Sequence, residues 1–294
     1  MSIRPPAVPY MGSTPAIASG CPVLVGVPYE GTACFRKGTA RGPDAMREVS
    51  EGIESYSPLL DRDLHSIVFT DLGNLALRSD DPEEVCQHVR DTCSPLFSQR
   101  AVPVLLGGEH SFTPGAVSAA LNHHPDLAVV QLDAHADLRE EWTGSRWSHA
   151  CAMRRVLDLL PRQRLLQCGI RSGTSREFAE LRDSGLLVPP DATSLLPALR
   201  SLGRAPLYIT LDLDLFDPAF LPGTGTPEPG GIDWRTFESL LQVIPWKRVV
   251  ACDIVELAPD LDPSGCSALL TAKVVREILL SLVQTGSTFH AEGE

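Results

Sequence analysis

The sequence lacks the features that mark a protein of a membrane or of the cell exterior. No apolar run reaches the ~18 residues that a membrane-spanning helix needs. The eight cysteines form no C-x-x-C pair and no close cluster, which is typical of a reduced protein that uses Cys as a small apolar residue. The first twenty residues hold four prolines and no long apolar core, unlike a signal peptide. We therefore expect a cytoplasmic protein.

Positive charge is also scarce, with 25 Lys and Arg against 37 Asp and Glu and a net charge of −12. This balance argues against nucleic acid and anionic membranes as main partners, and it is compatible with a cationic small molecule. No linker, repeat or low-complexity tract divides the 294 residues, of which 43% are apolar. We expect a single domain over residues 1–294, with an extended arm over residues 1–18.

Short apolar runs alternate with helical patterns along the chain. The clearest runs lie at residues 23–27, 102–106, 127–132, 165–170, 207–211 and 249–255. This alternation predicts βαβ units and a mainly parallel sheet, so the fold class is α/β. Ligands of such sheets bind beyond the carboxyl ends of the strands. The residues that follow each run are therefore the candidates for a functional site.

The most informative stretch is Asp133-Ala134-His135-Ala136-Asp137, directly after the run at 127–132. In an extended chain, residues at i, i+2 and i+4 share one face, so the two carboxylates and the imidazole can converge. Such a group needs a compensating cation. A metal ion is one interpretation, and a structural loop held by ion pairs is the other.

Other strand ends supply similar side chains. His110 follows 102–106 through two glycines, Asp212 and Asp214 follow 207–211, and Glu256 follows 249–255. With the Asp133 stretch and leaving Glu256 aside, this gives four carboxylates and two imidazoles, a set that suits two ions sharing bridging carboxylates. The oxygen-rich donors favour Mn²⁺ over Zn²⁺. Two such ions lower the pKa of a bound water, so the pattern predicts hydrolysis.

Five motifs together resemble the ureohydrolases, the arginase/agmatinase family, from about Val23 to Leu282. They are G-G-E-H-S at 107–111, D-A-H-A-D at 133–137, D-L-D-x-x-D-P at 212–218, P-G-T-G-T-P-x-P-G-G at 222–231 and D-I-V-E at 253–256. The resemblance implies a three-layer α/β/α fold around a mainly parallel eight-stranded sheet. It also implies a centre of two Mn²⁺ per chain, hydrolysis of a guanidino group to an amine and urea, and a homotrimer or homohexamer.

The resemblance also implies a role for each matching residue. The first manganese would be held by His110, Asp133, Asp137 and Asp212, and the second by Asp133, His135, Asp212 and Asp214. Asp133 and Asp212 would bridge the two ions. Glu256 would pair with the substrate guanidinium, and His149 would move protons toward the leaving amine. Asp137 would join these two among the catalytic residues, and Thr226 would lie in the substrate-binding loop.

The substrate is expected to be a small cationic guanidino compound. The short segment at 138–140 and S-H-A-C-A-M-R-R at 148–155 resemble agmatinase, whereas arginase carries an Asn/Thr/Ser-rich stretch here. We expect hydrolysis of agmatine to putrescine and urea in polyamine biosynthesis. Guanidinobutyrate, another ω-guanidino compound such as aminopropylagmatine and, less closely, arginine remain alternatives. Two further classes also remain open: a single-zinc deacetylase on a related fold and a regulatory subunit without activity.

Overall fold

The computed structural model describes residues 3–283, so residues 1–2 of the expected arm and 284–294 of the expected domain lie outside it. The strands are β1 (Ile3–Arg4), β2 (Pro22–Val27), β3 (Tyr56–Ser57), β4 (Arg62–Asp63), β5 (Thr70–Leu75), β6 (Val102–Gly107), β7 (Ala128–Leu132), β8 (Leu165–Cys168), β9 (Leu187–Val188), β10 (Leu207–Asp212) and β11 (Val249–Val255). The α-helices are α1 (Gly42–Glu48), α2 (Pro82–Ser98), α3 (Thr113–His123), α4 (Ala152–Leu157), α5 (Ser175–Ser184), α6 (Ala192–Ser201), α7 (Trp234–Val243) and α8 (Cys266–Leu282).

Within residues 3–283, one sheet has nine strands in the order β1-β5-β2-β6-β11-β10-β7-β8-β9. Every neighbouring pair from β5 to β9 in this order is parallel, and β1 pairs antiparallel with β5. The predicted count of eight therefore describes the parallel strands, and the full sheet has one more. Two residues of the proline-rich N-terminal segment form this extra edge strand, and so short a strand has no readable alternation.

The N-terminal segment is also attached to the core beyond β1. Tyr10 is 1% exposed, and its hydroxyl donates a hydrogen bond to the carbonyl of Ala272 in α8 at 2.6 Å. Its backbone amide donates to Asp71 Oδ2 in β5 at 2.9 Å. The segment thereby links the edge of the sheet to the closing helix.

Helices cover both faces of the sheet. Because side chains alternate along a strand, Val104 and Leu106 of β6 pack into one core and Leu105 packs into the other. The first core is completed by side chains of α1, α6, α7 and α8, and the second by side chains of α2, α3, α4 and α5. This is the predicted three-layer α/β/α arrangement.

The topology gathers the candidate residues at one edge. Strands β6, β11, β10 and β7 are consecutive neighbours and run in the same direction. The segments after them carry His110, Glu256, Asp214 and Asp133, and Asp212 is the last residue of β10. No helix in the described part of the chain is long and apolar enough to cross a membrane.

Candidate metal centre

Three carboxylates surround one nitrogen of His110. Its Nδ1 lies 3.1 Å from Asp137 Oδ2, 3.3 Å from Asp133 Oδ2 and 3.4 Å from Asp212 Oδ2. His110 is 1% exposed, and among residues 3–283 no group meets Nδ1 with hydrogen-bond geometry. Burial opposes charging of this imidazole, but the three facing carboxylates outweigh it and raise the pKa of His110 well above its usual value.

A second group of donors shares Asp133 with the first. His135 Nδ1 lies 2.8 Å from Asp214 Oδ2 and 4.0 Å from Asp133 Oδ1. In each of two sets, His110 with Asp133 and Asp212 and Asp133 with His135 and Asp214, the donor atoms lie within 4.8 Å of one another. Burial and the charge of Asp214 raise the pKa of Asp133 to about 7. Crowded buried carboxylates and an imidazole nitrogen without a hydrogen bond fit two hard divalent cations.

The Asp133 stretch converges for a different reason from the one expected. Strand β7 ends at Leu132, and Asp137 has a φ of 52° in the left-handed region, so these residues do not alternate along a strand. Instead, the chain bends at residues 133–134, and Asp133 Oδ1 accepts a hydrogen bond from the His135 amide at 2.6 Å. Gln131 Nε2 donates to Asp133 Oδ2 at 2.7 Å and to the His135 carbonyl at 3.0 Å. Side chain and backbone contacts therefore hold the two candidate ligands together.

The other nitrogen of His110 is held by a buried relay. Nε2 lies 2.7 Å from Thr210 Oγ1, and this hydroxyl donates to Asp253 Oδ1 at 2.6 Å. Asp253 Oδ2 accepts from Tyr208 at 2.7 Å and from Thr113 at 2.8 Å. Because the one hydroxyl proton of Thr210 points to Asp253, its oxygen accepts from Nε2–H. In the neutral imidazole, the lone pair is then on Nδ1, as a metal ligand requires.

Four of the candidate ligands, His110, His135, Asp137 and Asp212, line a cavity of about 170 Å³. The cavity is also lined by Cys34, Arg139, Trp142, His149, Thr226 and Glu256. Thr226 Oγ1 donates to Asp214 Oδ2 at 3.4 Å, so the Pro/Gly-rich loop at residues 222–231 directly contacts a candidate ligand. All nine predicted site residues are thus at or beside this cavity. Sequence reasoning did not identify Thr210, Asp253 or Gln131, although a polar or charged residue within an apolar strand is a usable signal for each.

Glu256 is another residue that lines the cavity. It is 7% exposed, and its Oε1 accepts the His110 amide at 2.7 Å. Its φ of 71° is a strained conformation for a non-glycine residue, of the kind that structures retain at functional positions. Burial raises the pKa of Glu256 to about 8. A buried carboxylate in this position has a strong preference for a cationic partner.

His149 begins the short 3-10 turn before α4. Its backbone amide lies 2.9 Å and its Nδ1 3.1 Å from Thr32 Oγ1. Burial opposes charging of this imidazole, but a hydrogen bond with Cys34 and the charges of Glu256 and Asp137 outweigh it. They raise the pKa of His149 to about 9. The side chain is therefore suited to donate a proton within the cavity.

The Pro/Gly-rich loop over the cavity is fixed by charged side chains that are not metal ligands. Asp217 Oδ2 accepts the amides of Gly230 at 2.7 Å and Gly231 at 3.1 Å. Arg171 donates to the carbonyls of Asp214 and Glu228, both at 2.6 Å. These contacts join the loop to the Asp212–Asp214 segment and keep Thr226 beside the candidate metal ligands.

Comparison with known proteins gives one consistent result. The model of the arginase family matches residues 22–281. The chain is similar to the agmatinase of Halalkalibacterium halodurans, with 36% identity over 89% of this chain and 92% of that protein. It is also similar to the N(1)-aminopropylagmatine ureohydrolase of Thermococcus kodakarensis, with 34% identity over 84% of this chain and 86% of that protein.

A solved structure agrees with these relatives. The agmatine ureohydrolase of Thermoplasma volcanium superimposes with a TM-score of 0.78 and is 34% identical, over 89% of each chain. The match includes every strand end that carries a candidate ligand, since the family model spans them all. The chain belongs to the arginase family of ureohydrolases, metal-dependent hydrolases that act on guanidino compounds.

Proposed function

We propose that this protein is an agmatinase, which hydrolyses agmatine to putrescine and urea in polyamine biosynthesis. The observation that carries the proposal is a cavity in which two metal-binding groups sharing Asp133 face the buried Glu256 carboxylate and His149. This combination suits hydrolysis at a guanidinium. Agmatine is the substrate named for the relative with 36% identity over most of the chain.

Two manganese ions are the proposed cofactor, and the candidate ligands divide between them. One ion would be held by His110, Asp133, Asp137 and Asp212, whose donor atoms meet at His110 Nδ1, and the other would be held by Asp133, His135, Asp212 and Asp214. When bound, the two ions would lower the pKa of the attacking water and stabilise the negative charge that develops in the transition state. Carboxylate oxygen and imidazole nitrogen donors without thiolate favour manganese over zinc.

The remaining steps belong to residues of the cavity. Glu256 pairs with the planar guanidinium and holds the guanidinium carbon in a fixed position in the cavity that the candidate metal ligands also line. Burial of this carboxylate strengthens the ion pair because little water competes for it. His149 donates a proton to the nitrogen of the departing amine. The amine leaves in its neutral form and is protonated afterwards in water.

One alternative substrate has a specific observation in its favour. Relatives named for N(1)-aminopropylagmatine are 34–35% identical to this chain, close to the agmatinases.

Another observation bears on the tail of the substrate. The Arg139 guanidinium lies 3.7 Å above the Trp142 ring at the cavity wall, with its Nε 4.0 Å from Glu177. An Arg139 side chain without an acidic neighbour would favour the carboxylate of guanidinobutyrate, but Glu177 offsets part of the positive charge of Arg139.

A substrate panel tests the proposal. The manganese-loaded protein is assayed for urea release from agmatine, aminopropylagmatine, guanidinobutyrate and arginine, with Asp133→Asn as the inactive control. We expect the highest kcat/KM for agmatine and no urea from the variant. Higher kcat/KM for a carboxylate-tailed substrate would contradict the agmatine proposal while leaving the hydrolase in place.

We further propose a cytoplasmic homotrimer or homohexamer. All eight cysteines are free, as is usual in a reducing compartment. Exposed apolar side chains such as Phe35 and Phe220, which are 72% and 50% exposed, offer surface for contacts between subunits. Light scattering of the purified protein measures the assembly directly, and a monomer at micromolar concentration would contradict it.

A further inference from the structure

We propose that Glu109 and Thr32 act as positioning residues that fix the tautomer of His149. The inference rests on the proposed function, in which His149 donates a proton to the departing amine. It concerns residues outside the set of metal ligands and substrate contacts. Their role is to determine which imidazole nitrogen faces the cavity.

Glu109 is completely buried, and its carboxylate accepts hydrogen bonds from the hydroxyl and from the backbone amide of Thr32. Thr32 Oγ1 donates to Glu109 Oε1 at 2.6 Å, and the Thr32 amide donates to Glu109 Oε2 at 2.8 Å. Ser111 Oγ also donates to Oε1 at 2.6 Å. A carboxylate has no hydrogen to donate in return, so the hydroxyl proton of Thr32 is committed to Glu109.

The remaining capacity of the Thr32 oxygen is directed to His149. Oγ1 accepts the His149 backbone amide at 2.9 Å and lies 3.1 Å from His149 Nδ1. Since the only proton of this hydroxyl already points to Glu109, the Nδ1 contact is a hydrogen bond only if Nδ1 carries the proton. In the neutral imidazole, the lone pair is therefore on Nε2, the nitrogen that Thr32 does not contact.

A second relay of carboxylate, threonine and histidine occurs in the site, and it selects the opposite tautomer. The Asp253 carboxylate accepts a hydrogen bond from the Thr210 hydroxyl, and the Thr210 oxygen accepts one from Nε2–H of His110. In neutral His110, the lone pair is therefore on Nδ1. In both relays a buried carboxylate orients a threonine hydroxyl, and the hydroxyl selects the histidine tautomer. The ring nitrogen that it contacts decides whether the histidine is presented through Nδ1 or Nε2.

A purely structural role for Glu109 would be to anchor the loop that carries Thr32. Such an anchor needs the bond from the Thr32 amide but does not depend on the direction of the hydroxyl. Glu109→Gln separates the two roles. The amide oxygen of the new side chain must accept the Thr32 N–H, so its NH₂ group faces Thr32 Oγ1 and donates to it. The hydroxyl proton is then released toward His149 Nδ1, and the neutral imidazole must change to the Nε2–H tautomer.

The test measures the tautomer and the kinetics separately. Two-bond ¹⁵N–¹H correlations of the histidine rings are recorded on the full-length protein loaded with diamagnetic Zn²⁺, in alkaline solution where His149 is neutral. His149→Asn assigns the signal. We expect Nδ1–H in the wild type and in Thr32→Ser, Nε2–H in Glu109→Gln and a mixture in Thr32→Val.

Kinetics of the manganese-loaded variants complete the test. We expect Thr32→Val to lower kcat by about tenfold to a hundredfold, part of the 10²–10⁴ supplied by general acid catalysis, with KM nearly unchanged and with rescue by Thr32→Ser. An Nε2–H signal in the wild type, or an unchanged tautomer and kcat in Thr32→Val, would overturn the inference. If Glu109→Gln fails to fold, the Thr32 pair still decides the question. If the wild type releases no urea from any substrate, the proposed function fails, and the tautomer result stands independently.

Discussion

The 2.7 Å contact between His110 Nε2 and Thr210 Oγ1 determines how this histidine faces the metal site. Thr210 donates its only hydroxyl proton to Asp253, so it can only accept from His110. In the neutral imidazole, the lone pair is therefore on Nδ1, the nitrogen that lies beside Asp133, Asp137 and Asp212. The orientation of a metal ligand thus depends on a threonine within the central strand β10, and this relationship leads to the first prediction.

Thr210→Val should weaken manganese binding by about 10–100-fold, the usual cost of removing the partner that orients a metal-binding histidine. Thr210→Ser keeps the hydroxyl and should bind manganese nearly as well as the wild type. Titration with manganese, followed by calorimetry, measures the two affinities. Equal affinity in the valine and serine variants would show that the relay does not control His110.

Asp133 and Asp137 should differ in their effect on metal stoichiometry. Asp133 belongs to both donor groups, whereas Asp137 belongs to neither and lies beside His110, with its Oδ2 3.1 Å from His110 Nδ1. Asp133→Asn should therefore lose both ions, and Asp137→Asn should retain the ion near His135. Elemental analysis after dialysis gives the manganese content per chain. Retention of both ions in Asp133→Asn would contradict the shared position of this carboxylate.

Glu256→Gln should reduce kcat/KM for agmatine by about 30-fold or more, because loss of one partner from a buried charge pair costs about 2–5 kcal/mol. The substitution keeps an oxygen that can accept the His110 amide, so metal content should not change. Glu228→Gln is the matched control, since Glu228 is an acid of the covering loop that does not line the cavity. Equal losses in both variants would exclude a guanidinium partner role for Glu256.

Cys34 should react faster with iodoacetamide than Cys266, the other exposed cysteine. A hydrogen bond with His149 lowers the pKa of the Cys34 thiol, and the thiolate is the reactive form. Because Cys34 lines the cavity, alkylation should abolish urea release, and a bound substrate should slow it. Peptide mass spectrometry over a time course identifies the modified residue. Full activity after complete alkylation of Cys34 would contradict its location at the site.

Much of this architecture could be predicted from the sequence because its signals are local. Buried parallel strands are continuous apolar runs, and the rule that their carboxyl ends form the site applied to His110, Asp133 and Asp212. The edge strand β1 could not be predicted, since a two-residue strand depends on its partner Leu75 and not on any pattern of its own. The presence of a carboxylate next to a strand end is encoded locally, but its contacts are not.

The relays at Thr210 and Thr32 show the same limit. Each connects residues that are far apart in the chain, His110 to Thr210 and Thr32 to His149, and no spacing rule relates them. Strand alternation predicts the convergence of Asp133 and Asp137, although both lie beyond the end of β7, after which the chain bends at residues 133–134 and has a positive φ at Asp137. Residue identity therefore indicated the chemistry, and only the three-dimensional structure identified what orients it.

The most direct test of the account is anomalous diffraction at the manganese edge from crystals of the manganese-loaded protein. We predict two peaks per chain about 3.5–4 Å apart, with the Asp133 carboxylate between them and His110 and His135 on opposite sides. A single peak with tetrahedral ligands, or two peaks away from Asp133, would contradict the central claim that these side chains bind a pair of cations.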